Sequence, residues 1–451
     1  MKKPAPLSAD TDPDADLAAR RCAWVALDGV IIRGLTMDAA LESAPGLAQL
    51  ETRDRGFARL LLATALRRRG ALLALLAKLI DKPLAGQPGK ISDSGRSVEN
   101  LLALGLTQLL HLDTPAHAAV DTAVRLVALS PFPGLKGLVN AVLRRVAREK
   151  QSLLAGLDEP RIDVPDHLWR AWCRAYGEAA ALAIAEAHMR EPPLDLTVSA
   201  DAVGWAEKLG AEILPGGSLR VREAGAIDKL AGFDQAAWWV QDAAAAIPAR
   251  LLGDVRGKTV ADLCAAPGGK TLQLLAAGAQ VTAVDRSPQR LARLHANLAR
   301  LKIAEGRVDI ATIDASQWQP RKRFDALLID APCSSTGTLR RRPDVAWSKS
   351  LADIARLVDL QRRLLARAGD FLLPNARLVY CVCSLQQEEG EDQIASPLAT
   401  DKRLVLDPVL PAEMPGLEEA LRPDGTVRIL PSMWETRGGI DGFYIARLKR
   451  V

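Results

Sequence analysis

From residue 241 to the C-terminus, short β-rich runs alternate with helical patterns, and this alternation constrains the fold more than anything else in the chain. Residues 259–263, 280–284, 308–313, 326–329 and 378–382 are β-rich, and helical periodicity at 269–277, 287–301 and 351–372 separates several of them. Strands joined through helices pair in parallel, because the crossover returns each strand in the same direction and lays its helix on a sheet face. The pattern therefore predicts an α/β domain over 241–451 with a doubly wound, Rossmann-like sheet. Ligands of such sheets bind beyond the carboxyl ends of the strands, so chemistry is expected there.

The first part of the chain reads differently. Residues 1–16 hold Pro4, Pro6 and Pro13 among acidic and small residues without apolar periodicity, and read as a disordered lead-in. From Leu17 onward, Trp24, Leu27 and Ile31 share a helical face, with further helical stretches near 54–69, 71–80, 97–111 and 115–129. A last stretch spaces Leu135, Leu138, Val139, Val142 and Val146 in the same way. No strand pattern interrupts the region, so 17–150 reads as an all-α bundle. Between 160 and 240, helical patterns at 167–176 and 178–189 precede strand-like runs at 194–199 and 219–221, which suggests a small α+β connector.

Charge and cysteine usage narrow the setting. The 451 residues carry 59 Lys and Arg against 54 Asp and Glu, a net charge of +5, with basic runs at 67–69 and 340–342. A polyanionic partner fits this balance, although net charge alone is weak support. Six irregularly spaced cysteines make no disulfide framework, and no apolar signal core follows Lys2 and Lys3. A reduced, cytoplasmic protein is expected. The longest apolar stretch, 71–80, is about half of the roughly 20 residues that span a bilayer, so no membrane segment is expected.

Val260-Ala261-Asp262-Leu263-Cys264-Ala265-Ala266-Pro267-Gly268-Gly269-Lys270-Thr271 passes from strand through a glycine turn into a helix. Small residues admit close backbone approach to a ligand, and a helix N-terminus favours an anionic group such as a methionine carboxylate. Gly269-Lys270-Thr271 also matches the end of a phosphate-binding P-loop, which makes a nucleotide hydrolase the rival reading. That motif needs glycine where Cys264 stands, and Pro267 removes one of the N–H donors that cradle phosphate. Asp285 ends the next strand, where a nucleotide-binding sheet places a carboxylate for two ribose hydroxyls. Asp314 follows the third strand and suits an adenine amino group.

Two further strand ends carry thiols, in Asp330-Ala331-Pro332-Cys333-Ser334 and Tyr380-Cys381-Val382-Cys383-Ser384. Alternation within a strand points Cys381 to the opposite side from Val382. Cys22 and Cys173 read as small buried hydrophobes. A zinc site is disfavoured: the Cys381–Cys383 spacing is short for one, and no histidine lies close to either loop.

Taken together, the loop at 264–270, Asp330 to Ser334 and Cys383-Ser384 resemble the Nop2/Sun type of RNA cytosine-5 methyltransferases. So do Trp239-Val240-Gln241-Asp242, Arg341-Arg342-Pro343-Asp344 and 438–444. Lys136 to Arg145 resembles the signature helix of NusB-like RNA-binding domains; with it in front, the chain is similar to the branch acting on small-subunit ribosomal RNA. The resemblance implies S-adenosyl-L-methionine as cofactor, bound by residues 264–270, Asp285, Asp314 and Asp330. It implies Cys383 as nucleophile, Cys333 as the thiol that assists product release, and Asp330 near ring nitrogen 3 of the target cytosine. Where the family has Thr before its nucleophile this chain has Val382, preceded by Cys381. Phosphate contacts are expected from Arg144, Arg145, Arg340, Arg341 and Arg342, and no obligate protein partner is legible. Transfer RNA as substrate and a catalytically silent RNA-binding protein stand as alternatives.

Overall fold

The computed structural model describes residues 15–82, 84, 92–155, 157, 160–303 and 306–451. The lead-in expected at 1–16 lies outside these residues except at Ala15 and Asp16, where the first helix begins. The chain forms two compact units, one of residues up to Trp169 together with Arg342–Ser348, the other of Arg170–Arg341 and Lys349–Val451.

The first unit is helical: α1 (Ala15–Ile31), α2 (Met37–Glu42), α3 (Thr52–Arg67), α4 (Arg69–Leu79), α5 (Asp93–His111), α6 (Ala116–Ala128) and α7 (Lys136–Leu154). Helix α5 is buried along most of its length, from Ser97 through Leu109, and its buried polar groups are paired, Ser97 and Asn100 with Asp28 and Thr107 with the Ala103 carbonyl. Gly105 lies on it where α7 crosses, since a Cβ there would meet Leu143 Cδ1 at 2.8 Å. Helix α7 is amphipathic in the expected sense: Val139, Val142, Leu143 and Val146 are buried, while Lys136, Arg144, Arg145 and Arg148 are exposed. The excursion Arg342–Ser348 belongs to this core, with Trp347 Nε1 donating to the Leu66 carbonyl at 2.8 Å and Met37 N–H to Asp344 at 3.1 Å.

Chain continuity runs through α8 (Asp166–Tyr176) and α9 (Glu178–Met189) into the second unit. There β1 (Leu194–Val198), α10 (Ala202–Leu209), β2 (Glu212–Ile213), β3 (Leu219–Val221) and β4 (Trp238–Val240) make a small antiparallel sheet of order β2-β3-β1-β4. After α11 (Ala243–Arg250) come β5 (Thr259–Leu263), α12 (Gly269–Ala276), β6 (Gln280–Asp285), α13 (Pro288–Arg300), β7 (Val308–Thr312) and β8 (Phe324–Asp330). The crossover α14 (Leu351–Ala366) leads to β9 (Leu372–Val382), followed by α15 (Glu391–Thr400), β10 (Leu404–Leu406), β11 (Val427–Ile429) and β12 (Phe443–Arg450).

The main sheet has the order β10-β12-β9-β8-β5-β6-β7, with β11 paired to β12. From β7 to β9 the strands are parallel, as the alternation of strand and helix predicts. The β12 edge runs antiparallel to both β9 and β10, so the sheet as a whole is mixed. Period-two alternation splits the strands between two cores: Val260, Ala326, Leu328, Val379 and Cys381 on one face, Ala261, Leu327, Ile329, Tyr380 and Val382 on the other. Cys381 and Val382 thus face opposite ways. Among the described residues no helix is long and apolar enough to cross a membrane.

Candidate active site

The carboxyl ends of β5, β6, β8 and β9 carry most of the residues singled out in the sequence. Between β5 and α12 the backbone turns sharply, with Cys264 at φ +63° and Gly268 at φ +111°. Gly268 is required twice over, because its φ is left-handed and a Cβ would lie 2.4 Å from Leu294 Cδ1. Asp285 pins this turn: one carboxylate oxygen accepts from Ala266 N–H at 3.1 Å, the other from Ser287 N–H at 2.9 Å, and Arg290 lies at 3.5 Å. Asp314 is half-buried; burial raises its carboxyl, but hydrogen bonds from Ser316 outweigh this and hold it below the usual range.

The sequence reading left out Asp262, in the middle of β5. Its Oδ2 accepts from Thr271 Oγ1 at 2.6 Å, tying strand to helix beneath the turn, while the buried Oδ1 has no hydrogen-bond partner among the described residues. Burial pushes this carboxyl up to about 7. An acid inside an otherwise apolar strand, Val260-Ala261-Asp262-Leu263, was the available signal.

Asp330 ends β8 opposite Cys381 of β9. Its Oδ2 accepts from Lys270 Nζ at 2.7 Å, and Cys381 Sγ approaches its Oδ1 at 3.4 Å. The Asp330 side chain keeps 34% of its surface exposed, so a ligand can reach it. Lys270 is buried beside it and 5.3 Å from the Phe443 ring centroid. Burial alone would neutralise that amine, but Asp330 overrides burial and holds it as an ammonium.

Cys333 and Cys383 meet just past these strand ends, Sγ to Sγ 3.5 Å apart and both half-buried. Ser335 Oγ lies 3.5 Å from Cys383 Sγ and 4.0 Å from Cys333 Sγ. The hydrogen bond from Cys333, outweighing burial, lowers Cys383 below the ordinary thiol range. The same bond, with burial, raises Cys333 well above it. The contact lets the two sulfurs share a proton, with Cys383 the more readily ionised of the two. Cys381 is buried, and burial drives its thiol upward, which leaves it poorly suited to attack.

Glu389 also escaped the sequence reading. Fully buried, it accepts from Ser334 N–H at 2.8 Å, Ser334 Oγ at 2.5 Å, Ser384 Oγ at 2.6 Å and Gln361 Nε2 at 3.1 Å. An acid in the run Gln386-Gln387-Glu388-Glu389 reads as solvated, and its neighbour Glu388 is indeed exposed.

The expected phosphate contacts separate into three groups. Arg340 is corrected: only 1% exposed, it bonds Asp242 and Asp441 at 3.3 Å each and the Gly438 carbonyl at 2.7 Å, so it faces buried carboxylates and not solvent. Its neighbour Arg341 also pairs with Asp441 but leaves 36% of its side chain exposed. Arg342, half-exposed and 3.8 Å from Asp344, belongs to the helical unit. On α7 of that unit, Arg144 bonds Asn140 at 2.9 Å and Arg145 pairs with Glu149 at 3.1 Å, both exposed.

A sheet of this order, with a glycine turn after its central strand and acids at the neighbouring strand ends, is that of the α/β methyltransferases. The profile of the 16S rRNA methyltransferase RsmB/F family matches residues 249–449, and that of the NusB family residues 17–148. Ribosomal RNA small subunit methyltransferase B of Sodalis glossinidius is 37% identical over 409 residues, 86% of this chain and 91% of that protein. Its namesake from Pasteurella multocida is 35% identical over 398 residues, 84% of either chain. A solved methyltransferase homolog protein from Pyrococcus horikoshii superposes with TM-score 0.53 at 26% identity, covering 62% of this chain and 94% of that one. The chain belongs to the family of ribosomal RNA small subunit methyltransferase B.

Proposed function

We propose that the protein methylates carbon 5 of a cytosine in small-subunit (16S) ribosomal RNA, through a covalent adduct with Cys383 and with S-adenosyl-L-methionine as cofactor. The observation that carries this reading is the thiol pair, 3.5 Å apart beside the Lys270–Asp330 ion pair. Carbon 5 of cytosine is a weak nucleophile until a thiolate adds to carbon 6 and pushes electrons into the ring. Cys383 has the lowered thiol that such an attack requires, and Asp330 has the exposed carboxyl that can bond the base near nitrogen 3. In the closing step the carbon 5 proton passes to water, its electrons re-form the double bond to carbon 6 and the Cys383 thiolate leaves; Cys333, 3.5 Å away, can hydrogen-bond that departing thiolate.

The cofactor fits the residues present. When bound, it supplies an electrophilic methyl group. Asp285 keeps lone pairs beyond those used by Ala266 and Ser287 for a ribose diol, and the unpartnered Asp262 Oδ1 suits the positive end of a methionine moiety. The exposed basic face of α7 would contact phosphate, and a target base must leave its stack at a cost of a few kcal/mol.

The test is transfer of tritium from labelled S-adenosylmethionine to unmodified 16S rRNA and, in parallel, to transfer RNA. Label in cytosine of the ribosomal RNA, none with Cys383→Ala, and a denaturation-resistant protein–RNA adduct with Cys333→Ala are expected. Label only in transfer RNA overturns the substrate, and activity of Cys383→Ala overturns the nucleophile.

A further inference from the structure

The sheet ladder fixes Asp330 against Cys381, and the last bond continuing it runs from Ala331 N–H to the Cys381 carbonyl at 3.0 Å. Both reacting thiols lie beyond that point, on loops that diverge from the strands. One backbone bond, Gly337 N–H to the Cys383 carbonyl at 3.0 Å, joins the loops further on. Between these two ties the serine after each thiol, Ser334 and Ser384, turns inward, and both donate to the one carboxylate of Glu389. The two serine hydroxyls also lie 3.0 Å from each other.

A buried carboxylate is an expensive staple if loops need only be held together, since apolar packing does that at less desolvation cost. Among the described residues no cation bonds it: the guanidinium of Arg428 goes to Glu391 and to the Ser384 carbonyl, and the Tyr380 hydroxyl to the Glu389 backbone carbonyl. The carboxylate is instead met by four donors, three of them on the cysteine loops and the fourth, Gln361, also bonding the Pro332 carbonyl before Cys333. This network, complete at the carboxylate and open among the described residues only at Gln361 Oε1, restricts how the two loops can be arranged.

We propose that Glu389 is a positioning residue: by holding the serine that follows each thiol, it sets the Cys333–Cys383 separation on which proton sharing between the two thiols depends. The assignment rests on the reading of that pair as the reacting centre. Burial pushes the Glu389 carboxyl up against the pull of its four donors, and in its ionised form its charge also raises Cys333.

The experiment compares wild type with Glu389→Ala and Glu389→Gln, checking folding by circular dichroism and thermal melting. Three readouts follow: disulfide formation between Cys333 and Cys383 with oxidised glutathione, the pH midpoint of Cys383 alkylation, and kcat and KM for methyl transfer to 16S rRNA. In the first, the Cys383 thiolate displaces one glutathione thiolate and the Cys333 thiolate the second, so two protein thiols are oxidised as one glutathione disulfide is reduced. In Glu389→Ala, disulfide formation should slow about tenfold, the midpoint rise by about one unit and kcat fall about tenfold, with KM for RNA changed less than about twofold. In a Cys333→Ala background the same substitution should add nothing to the midpoint. Should Glu389→Ala not fold, Glu389→Gln decides, with the same direction and smaller size, because an amide offers one acceptor oxygen to four donors.

A folded variant whose thiols cross-link and titrate as in wild type overturns the assignment. If the thiol readouts respond as stated while wild type transfers no methyl group, it is the methyltransferase reading that fails and the positioning role that stands.

Discussion

Replacing Cys333 by alanine removes one of the two hydrogen-bond partners 3.5 Å from Cys383 and so probes the polarity of the pair. Cys333 Sγ and Ser335 Oγ both lie 3.5 Å from Cys383 Sγ, and of these hydrogen bonds the one from Cys333 has the larger effect. Burial and the charge of Asp330 push the other way, so without Cys333 the thiol of Cys383 moves upward. A hydrogen bond to a charged group contributes about 1.5–3 kcal/mol, and for a weak S–H donor the lower bound applies. Since about 1.36 kcal/mol corresponds to one unit, the Cys383 midpoint should rise by about one unit, and its thiolate fraction near neutrality should fall about tenfold. Iodoacetamide alkylation, followed site by site with peptide mass spectrometry across the pH range, measures this directly. An unchanged midpoint in folded Cys333→Ala would refute the claim that Cys333 holds the proton and Cys383 the charge, and the division of roles between them would go with it.

Two further outcomes concern stability. Asp262 is raised by burial to about 7 from an unfolded value near about 4, so its contribution is fully present below about pH 4 and is lost as pH rises toward 7. Asp262→Asn should flatten that decline in urea midpoints; an unaltered slope would show that Asp262 is ionised in the folded protein at a much lower pH. Gly337→Ala places a Cβ 2.1 Å from the Gly442 carbonyl oxygen, where both partners are backbone. Overpacking of this kind costs about 3 kcal/mol, about 6–12 °C in melting temperature for a unit this size, and a drop under about 2 °C would contradict it.

How much of this was legible in the sequence follows from the range of the forces involved. The parallel strands announce themselves through local apolar runs: 259–263 is both the pattern and the strand, and 280–284 differs from β6 only by Asp285. The strand ends then place Asp330, Cys333 and Cys383 near one another with no further information. Strand β12 gives no such signal, because no crossover helix leads into it and its partners β9 and β10 lie far off in sequence. Arg340 and Glu389 are charged residues whose burial depends on partners 98 and 55 positions away, which local pattern cannot show. Both looked like surface. Asp262 differs, since a lone acid in a buried strand is visible locally and was passed over for the motif that follows it.

The excursion of residues 342–348 bears on how the protein is made. The N-terminal unit lacks Trp347 and Asp344, which bond the Leu66 carbonyl and the Met37 N–H, until synthesis has run about 170 residues past Trp169. At roughly 5–20 residues per second this is an interval of roughly 10–30 s. During that time the helices can assemble, but the emerging chain holds their last partners back, so the first unit to leave the ribosome is completed only after residues 170–341 of the second have been made.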